Sequence, residues 1–188
     1  TSVTGSNAQL SVVFTAGASG GSAITGYKYS TDGGVTFRTR AAGTTGSPLV
    51  ISTLSTDGST ALVNGTSYSV QVQGVNANGD GVASSSVSGV PVTVPGAPTG
   101  VSGTKGNGAL TVAWVAPSTN GSAITDYEVY IGTSASGTFS LVADGVSTIP
   151  GASITGLTNG TSYYVKVAAV NSLGTGAMSA VSAAITPS

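Results

Sequence analysis

The five-residue sequence Asn-Gly-Thr-Ser-Tyr occurs twice, at residues 64–68 and 159–163, and this repetition restricts the possible folds more than any other feature. Each copy is followed by an alternation of polar and apolar residues, at 69–76 and 164–171. A period of two behind a Gly-containing turn predicts a half-buried β-strand whose Tyr and Val side chains point inward. A second motif, Gly-Ser-Ala-Ile-Thr, precedes Tyr27 and, 100 residues later, Tyr127. The chain is therefore predicted to contain two similar units.

The 188 residues suffice for two domains of about 100 residues each, which we place at residues 1–94 and 95–188. The leading strand of the first domain is expected to be truncated. The Pro-rich segment 95–101 precedes Asn107, whereas only six residues precede the matching Asn7, and among them only Val3 is typical of a strand. The missing piece is either upstream sequence or a strand donated by a neighbour. The first domain also carries an insertion at about residues 55–62, which is polar and is expected to form an enlarged surface loop.

The two units share a predicted core. Phe14 and Trp114 stand at the same position of two equivalent apolar strands and are expected to be equivalent core anchors. Tyr27 and Tyr127 are expected to point inward from the next strand. The final strands are predicted from residue 82 to about 94 and from residue 177 to 185.

Both units resemble fibronectin type III domains of the bacterial extracellular kind. The residues that carry the resemblance recur in both units: Leu10, Val12, Phe14, Ile24, Tyr27, 64–68, Val70, Val72 and Gly79 in the first, and Leu110, Val112, Trp114, Ile124, Tyr127, 159–163, Val165, Val167 and Gly174 in the second. The resemblance implies an all-β fold of two immunoglobulin-like Greek-key β-sandwiches in tandem, with Tyr68 and Tyr163 as tyrosine corners. The Arg-Gly-Asp loop of integrin-binding members is replaced by Asn78-Gly79-Asp80, so that activity is not implied.

Charge limits the classes of partner. Charged residues make up 6% of the chain, five basic and six acidic, and the mean hydropathy is +0.32. Such a chain has neither the basic surface that nucleic acids require nor a polybasic patch for membranes, and it contains no apolar run long enough to cross one. Two interpretations stay open. The chain is either an extracellular β-protein whose surface is rich in Ser and Thr, or a subunit that buries part of its weakly charged surface against copies of itself.

The residue inventory does not favour catalysis or metal binding. The chain has no His and no Cys, which removes Ser-His and Cys-His machinery and most zinc sites, and gives no disulfide from which to infer a compartment. Residues 76–81 resemble the first half of a calcium loop, but Val87 stands where a bidentate Glu is required, so a hairpin turn is the simpler interpretation. We expect no catalytic residue, no cofactor and no metal.

Tyr130 and Tyr164 are the candidate surface contacts. Both are expected to point outward from adjacent strands of one sheet, flanked by Glu128 and Lys166. Such a platform could stack on a sugar or pack against another domain, although cross-strand pairing explains it without a ligand. Glycosylation stays open at the three sequons that begin at Asn64, Asn120 and Asn159.

The functional expectation is a non-catalytic extracellular or cell-surface structural and adhesive protein, a segment or subunit of a bacterial surface protein or filament. Its partners would be other proteins, including copies of itself or further repeats of the same chain. The alternative is a spacer or weak carbohydrate-binding accessory region of a secreted polysaccharide-degrading enzyme, with polysaccharide as the partner.

Overall fold

The computed structural model describes residues 1–40 and 44–188, and within these residues the regular structure is β-strand. The chain divides into two compact units, Thr1–Thr93 (unit 1) and Val94–Ser188 (unit 2). Each unit contains two antiparallel sheets, and its apolar core lies between them. The predicted all-β fold with two immunoglobulin-like sandwiches in tandem is confirmed.

Unit 1 has one sheet in the order β1-β2-β5 and a second in the order β4-β3-β6-β7, with β8 also paired to β6. Its described strands are β1 (Ser2–Ser6), β2 (Gln9–Val13), β3 (Ile24–Ser30), β4 (Arg38–Thr39), β5 (Leu49–Ile51), β6 (Tyr68–Asn76), β7 (Gly79–Ala83) and β8 (Val87–Gly89).

Unit 2 repeats this arrangement. Its strands are β9 (Thr99–Gly106), β10 (Ala109–Val115), β11 (Ile124–Gly132), β12 (Ser140–Leu141), β13 (Gly151–Thr155), β14 (Tyr164–Asn171) and β15 (Gly174–Thr175). One sheet has the order β13-β10-β9 and the other the order β12-β11-β14-β15. Since corresponding strands pair in both units, positions in one unit can be matched to positions in the other.

The predicted inward residues form the two cores. Val70 and Val72 of β6, like Val165 and Val167 of β14, are buried, as period-two alternation requires. Tyr27 and Tyr127 are buried as expected. Each packs edge-on against the predicted anchor, with ring centroids 4.6 Å apart for Phe14–Tyr27 and 5.2 Å apart for Trp114–Tyr127. Trp114 is buried, whereas Phe14 is only partly buried.

The repeated Asn-Gly-Thr-Ser-Tyr motif builds the same corner in both units. The hydroxyl of Tyr68 accepts a hydrogen bond from the backbone N–H of Val63 at 2.9 Å, and that of Tyr163 accepts one from Thr158 at 3.1 Å. These contacts are the predicted tyrosine corners, in which a phenol hydroxyl bonds to the backbone a few residues upstream.

The Asn that opens each motif forms a second, unforeseen contact. The side-chain oxygen of Asn64 accepts the Ala8 N–H at 2.8 Å while its amide donates to Asn7 at 2.8 Å. The same pair of bonds joins Asn159 to the Gly108 N–H and to Asn107, both at 2.7 Å. We call this arrangement the asparagine clamp. It ties each tyrosine corner to the first hairpin of its unit.

The leading strand of unit 1 is more complete than the sequence suggested. All five residues of β1, and not Val3 alone, pair with β2, from Ser2 opposite Val13 to Ser6 opposite Gln9. The strand is nevertheless shorter than β9, its eight-residue counterpart in unit 2.

The insertion at residues 55–62 is not simply a surface loop. Its backbone folds back on itself through the bonds Leu54 N–H to Thr60 O (2.9 Å) and Leu62 N–H to Ser52 O (3.0 Å). Leu62 is only 2% exposed and belongs to the unit 1 core, and Ser55 is 3% exposed. The sequence did not predict that this segment reaches the core, because the segment is mostly polar and a single residue, Leu62, anchors it there.

The final strands are less regular than predicted. In unit 1 they break into β7 and β8, and in unit 2 β15 ends at Thr175. Beyond it, the hydroxyls of Ser179 and Ser182 accept the N–H groups of Val167 and Val165 at 3.0 and 2.9 Å. Along this edge of β14, serine hydroxyl oxygens thus accept the hydrogen bonds that the backbone carbonyls of a paired strand would otherwise accept. The buried N–H groups of β14 are therefore satisfied without a regular β-ladder.

We predict that Leu62→Ala lowers the stability of unit 1 by about 2 to 4 kcal/mol, because it removes buried methyl groups and leaves a cavity. Chemical denaturation followed by far-ultraviolet circular dichroism measures this. Val63→Ala is the matched control, since the Val63 side chain is 59% exposed and the residue takes part in the corner through its backbone groups. Equal effects of the two substitutions would contradict the assignment of Leu62 to the core.

Candidate functional site

The predicted contact residues lie on the outer face of the β12-β11-β14-β15 sheet. Tyr130 of β11 stands opposite Lys166 of β14, and Gly132 stands opposite Tyr164. Because side chains two residues apart on a strand share a face, Tyr130 and Tyr164 are on the same side of the sheet, away from the core residues Val165 and Val167. Both tyrosines are half-buried.

A hydrogen bond fixes the ring of Tyr130. Its hydroxyl donates to Glu128 Oε2 at 2.7 Å, and the Thr175 hydroxyl lies 3.4 Å from Glu128 Oε1. The bond to Glu128, together with burial and the carboxylate charge, raises the pKa of Tyr130. Tyr130 therefore stays protonated and oriented near neutral pH.

Sequence reasoning missed two members of this surface. Leu141 of β12 stands opposite Tyr130 and is 59% exposed. The Phe139 ring lies against Gly132, and the Lys166 ammonium sits 4.7 Å from its centroid, a cation–π distance. We call these five residues, Tyr130, Phe139, Leu141, Tyr164 and Lys166, the aromatic face. The alternation of Phe139 and Leu141 after the hairpin turn is the sequence pattern from which these two members could have been predicted.

Unit 1 has no equivalent of the aromatic face at the matched strand positions. Ser30 stands opposite Gln71 where Tyr130 stands opposite Lys166, and Ser69 corresponds to Tyr164. Ser69 instead accepts the Gly33 N–H through its backbone oxygen at 2.9 Å. The same scaffold therefore carries tyrosines at these positions in unit 2 and serines in unit 1, where Ser30 is buried.

The polar surface of unit 1 is organised by Asp32. Its carboxylate accepts hydrogen bonds from the Thr36 N–H and hydroxyl at 3.0 and 2.5 Å and from the Ser30 hydroxyl at 2.7 Å. Burial acts to raise the pKa of Asp32, but the bonds from Thr36 and Ser30 outweigh it and lower the pKa from 3.8 to about 2. The Thr36 hydroxyl also lies 3.1 Å from that of Ser55, which connects Asp32 to the insertion.

Asp57 has the same function inside the insertion. It accepts bonds from the Thr60 hydroxyl and from the N–H groups of Ser59 and Thr60, the latter two at 2.9 Å. The Thr60 hydroxyl bond and these backbone bonds lower the pKa of Asp57 to about 2. Both aspartates thus act as structural acceptors within turns.

The calcium-like segment forms the β6–β7 hairpin turn. Asn76 pairs with Gly79, and its side-chain oxygen accepts the Asn78 N–H at 2.9 Å. Asp80 pairs with Lys28, with 2.6 Å between Oδ2 and Nζ. Across the described residues, no three His, Cys, Asp or Glu side chains come together in a metal-binding arrangement.

All three sequon asparagines use their side-chain nitrogens in structural bonds. Asn64 and Asn159 form the asparagine clamps. Asn120 has a positive φ of 50° and donates to the Val94 carbonyl at 2.9 Å. Glycosylation at any of these positions would leave only one hydrogen on a side-chain nitrogen that already donates a structural hydrogen bond.

Comparisons with known proteins agree with this geometry. Residues 96–185 match the family model of the fibronectin type III domain. Unit 2 is therefore a fibronectin type III domain, and unit 1 repeats its strand pairing, tyrosine corner and asparagine clamp. The predicted resemblance to fibronectin type III domains is thereby confirmed: unit 2 matches the family model, and unit 1 has the same fold. A comparison with curated proteins gives no match.

Two solved structures of consecutive domains show the same fold. Domains from titin match with a TM-score of 0.57 and 18% identity, covering 98% of this chain and 61% of that one. The chicken CNTN1 FN1-FN3 domains match with a TM-score of 0.51 and 20% identity, covering 99% of this chain and 66% of that one. A structure of the titin kinase and its flanking domains matches 51% of this chain, which spans 18% of that one, at 26% identity and a TM-score of 0.47.

We predict an acid-sensitive contribution to stability from Asp32 and Asp57. Their folded pKa values, about 2, lie below the ordinary 3.8, so folding favours the ionised forms. The resulting stabilisation is complete above about pH 4 and is lost as the pH falls toward 2. Asp32→Asn should cost about 1 to 2 kcal/mol at pH 7, with a smaller difference from wild type near pH 2.

Thermal unfolding between pH 7 and 2 measures this effect. Asp144→Asn is the control, because burial raises the pKa of Asp144 and its removal should not destabilise the neutral-pH protein. A constant difference between wild type and Asp32→Asn at every pH would show that the charge of Asp32 is not involved.

Proposed function

We propose that the protein is a non-catalytic structural and adhesive protein of the cell exterior, a segment or subunit of a bacterial cell-surface protein or filament. Fibronectin type III domains commonly serve as structural or adhesive modules and are often extracellular. No helix among the described residues is long and apolar enough to cross a membrane. The observation that carries the proposal is the aromatic face of unit 2.

The aromatic face has the chemistry of a protein contact. Aromatic residues are enriched and unpaired charges depleted at the centres of protein interfaces. Glu128 is bonded by Tyr130, and Lys166 lies over Phe139, so the two charges of this surface already have partners within it. Packing another β-module onto Tyr164 and Leu141 would therefore bury apolar area without leaving a buried charge unpaired.

The contact we propose joins copies or repeats of this chain. Unit 1 offers a sheet of the same fold in which serines stand at the positions of the two tyrosines and Lys28 is paired with Asp80. An adhesive contact between modules of this kind would be apolar at its centre and hydroxyl-rich at its rim, as interfaces usually are.

We predict that the chain self-associates and that Tyr164→Ser weakens this at least tenfold. Serine is the residue at the matched position of unit 1, so the substitution fits the scaffold while it removes the aromatic contact. Truncating an aromatic hot-spot residue at an interface centre typically costs about 2 kcal/mol or more, and a tenfold loss of affinity corresponds to about 1.4 kcal/mol. Sedimentation velocity over a concentration series measures the dissociation constant.

Val146→Ser is the matched control, because Val146 is 84% exposed and lies outside the aromatic face. Only monomers at the highest attainable concentration, or equal weakening by both substitutions, would refute self-association through this surface.

Carbohydrate binding is the second candidate function, as expected of a spacer or accessory region of a secreted polysaccharide-degrading enzyme. The aromatic face presents Tyr164 and the ammonium of Lys166, and the carboxylate of Glu128 adjoins it through Tyr130. Sugar rings are bound by a ring face together with neighbouring polar groups of this kind.

If this candidate is correct, the chain is retained on insoluble cellulose or chitin, and Tyr130→Ala and Tyr164→Ala each reduce the retained fraction severalfold. The Val146→Ala variant should be retained like wild type. Absence of retention by the wild-type chain would remove the carbohydrate-binding function and leave the protein contact.

A further inference from the structure

The chain contains five Asn-Gly pairs, and one of them differs from the others in how its side chain is held. The pairs begin at Asn64, Asn78, Asn107, Asn120 and Asn159. An asparagine that precedes glycine is especially prone to lose its side-chain amide, because glycine has no side chain to keep its backbone nitrogen away from the asparagine carbonyl carbon. Asparagine is accordingly one of the thermolabile residues of proteins.

The reaction is an acyl transfer within the chain. The glycine nitrogen gives up its proton to the solvent and attacks the side-chain carbonyl carbon, and the new C–N bond closes a cyclic imide. The bond from that carbon to the side-chain nitrogen breaks, and the nitrogen leaves as ammonia with a proton from the solvent. Water then opens the imide at either carbonyl and gives aspartate or isoaspartate. The ring closes only if the side chain swings toward the next backbone nitrogen, so hydrogen bonds that hold either group elsewhere oppose it.

The asparagine clamp of unit 1 holds one pair. The oxygen and the nitrogen of the Asn64 side chain are both engaged, by Ala8 and Asn7, each at 2.8 Å. The N–H of Gly65, whose nitrogen would attack, donates to the Pro91 carbonyl at 2.8 Å. Ring closure at Asn64 would therefore break more than one hydrogen bond.

The clamp of unit 2 holds two pairs at once. The Asn159 side chain is bonded to Gly108 and to Asn107, and the N–H of Gly160 donates to the Pro187 carbonyl at 2.9 Å. For the pair that begins at Asn107, the same two bonds engage the Asn107 oxygen and the N–H of Gly108. The clamp therefore opposes ring closure at both positions.

Asn120 is held by bonds at both ends of its side chain. Its nitrogen donates to the Val94 carbonyl at 2.9 Å, and its oxygen accepts the Ser118 hydroxyl at 2.6 Å. Neither partner is the following glycine. Ring closure at Asn120 would again have to break both bonds first.

Asn78 is the exception. It is exposed at the tip of the β6–β7 hairpin, and among the described residues no hydrogen bond reaches its side chain. Only its backbone N–H is fixed, by the Asn76 side chain at 2.9 Å. Gly79 has a φ of 121°, and a Cβ there would meet no atom within 4 Å, so the space that ring closure needs is open.

The matched hairpin of unit 2 is exposed at its tip as well. Leu173 takes the place of Asn78 there and is 50% exposed. Residues 94–98 lie beside that hairpin, with the Val94 side chain 3.7 Å from where a Cβ on Gly174 would be. A segment along the side of this hairpin therefore leaves the tip open to water.

We propose that Asn78 is the site at which the folded chain deamidates, and that the asparagine clamps protect the pairs that begin at Asn64, Asn107 and Asn159. The product adds one negative charge to a chain whose formal net charge is −1. Isoaspartate also lengthens the backbone of the β6–β7 turn by one carbon atom. Unit 2 cannot undergo this change at the matched position, because Leu173 has no amide.

The test is incubation of the full folded chain in mildly alkaline buffer, followed by mass spectrometry of its proteolytic peptides. Deamidation raises the mass of a peptide by the difference between a hydroxyl and an amino group, whereas isomerisation of the nearby Asp80 changes no mass. The peptide that holds Asn78 should react about tenfold or more faster than those that hold the other pairs. Aspartate and isoaspartate should both appear at residue 78, because opening of the cyclic imide gives both.

The chain unfolded in guanidinium chloride is the reference for these rates. All the Asn-Gly pairs should then react at similar rates, because no clamp or turn remains to hold them. The ratio of the unfolded rate to the folded rate at each pair therefore measures its protection by structure. This ratio should be large for the clamped pairs and smallest for Asn78.

Two variants separate the parts of the proposal. Asn78→Gln should stop the reaction at residue 78, because the longer side chain closes a larger ring more slowly, and should leave thermal unfolding unchanged. Asn7→Ala removes the acceptor of the Asn64 amide and should raise the rate at Asn64 about threefold or more, with no change at Asn78.

The proposal is overturned if Asn78 reacts no faster than the other pairs in the folded chain, or if no isoaspartate forms at residue 78. An unchanged rate at Asn64 in Asn7→Ala would overturn the protective role of the clamp. These results do not bear on the aromatic face, which lies in the other unit and is tested by Tyr164→Ser.

Discussion

The burial of one face of β6 and of β14 is the constraint on which each sandwich depends. Val70 and Val72 in unit 1, and Val165 and Val167 in unit 2, are almost completely buried between the two sheets. Because side chains alternate, a slip of one residue would expose every one of them, so the register of these strands is fixed by the core. The tyrosine corner and the asparagine clamp sit at the start of the same strands and hold their ends in that register.

With the inward positions fixed, the outward positions are free to diverge, and the two units use that freedom differently. Unit 2 places Tyr130, Phe139 and Tyr164 on this face, whereas unit 1 has serines at the positions of the two tyrosines. Ser30 donates to Asp32, and the Ser69 hydroxyl is bonded to that of Ser86. The difference costs the fold little, since the core residues behind both surfaces are the same in kind. A shared scaffold with distinct outer surfaces is what a protein needs if its modules are to contact different partners.

The sequence predicted what depends on local pattern. Strand alternation, the inward Tyr27 and Tyr127, the tyrosine corners and the shared side of Tyr130 and Tyr164 all follow from spacing or from the family resemblance. Contacts that depend on the approach of distant segments were not predicted. The asparagine clamp joins residues more than 50 positions apart, and Leu62 reaches the core from a polar segment. The serine bonds at Ser179 and Ser182 were missed because Ser reads as a surface residue, although its hydroxyl is a good substitute for a carbonyl.

The scarcity of charge has a structural counterpart in these hydroxyl bonds. Asp32 and Asp57 are bonded by neighbouring threonines, Glu128 by Tyr130, and Asp80 by Lys28, so the few carboxylates of these surfaces are engaged within the unit. Long-range electrostatic steering of a partner is therefore weak. Recognition by this chain depends instead on hydrogen bonds at strand edges, contacts with aromatic rings and shape complementarity. Such contacts form slowly compared with charge-steered ones but are only weakly affected by salt, because no screened ion pair holds them together.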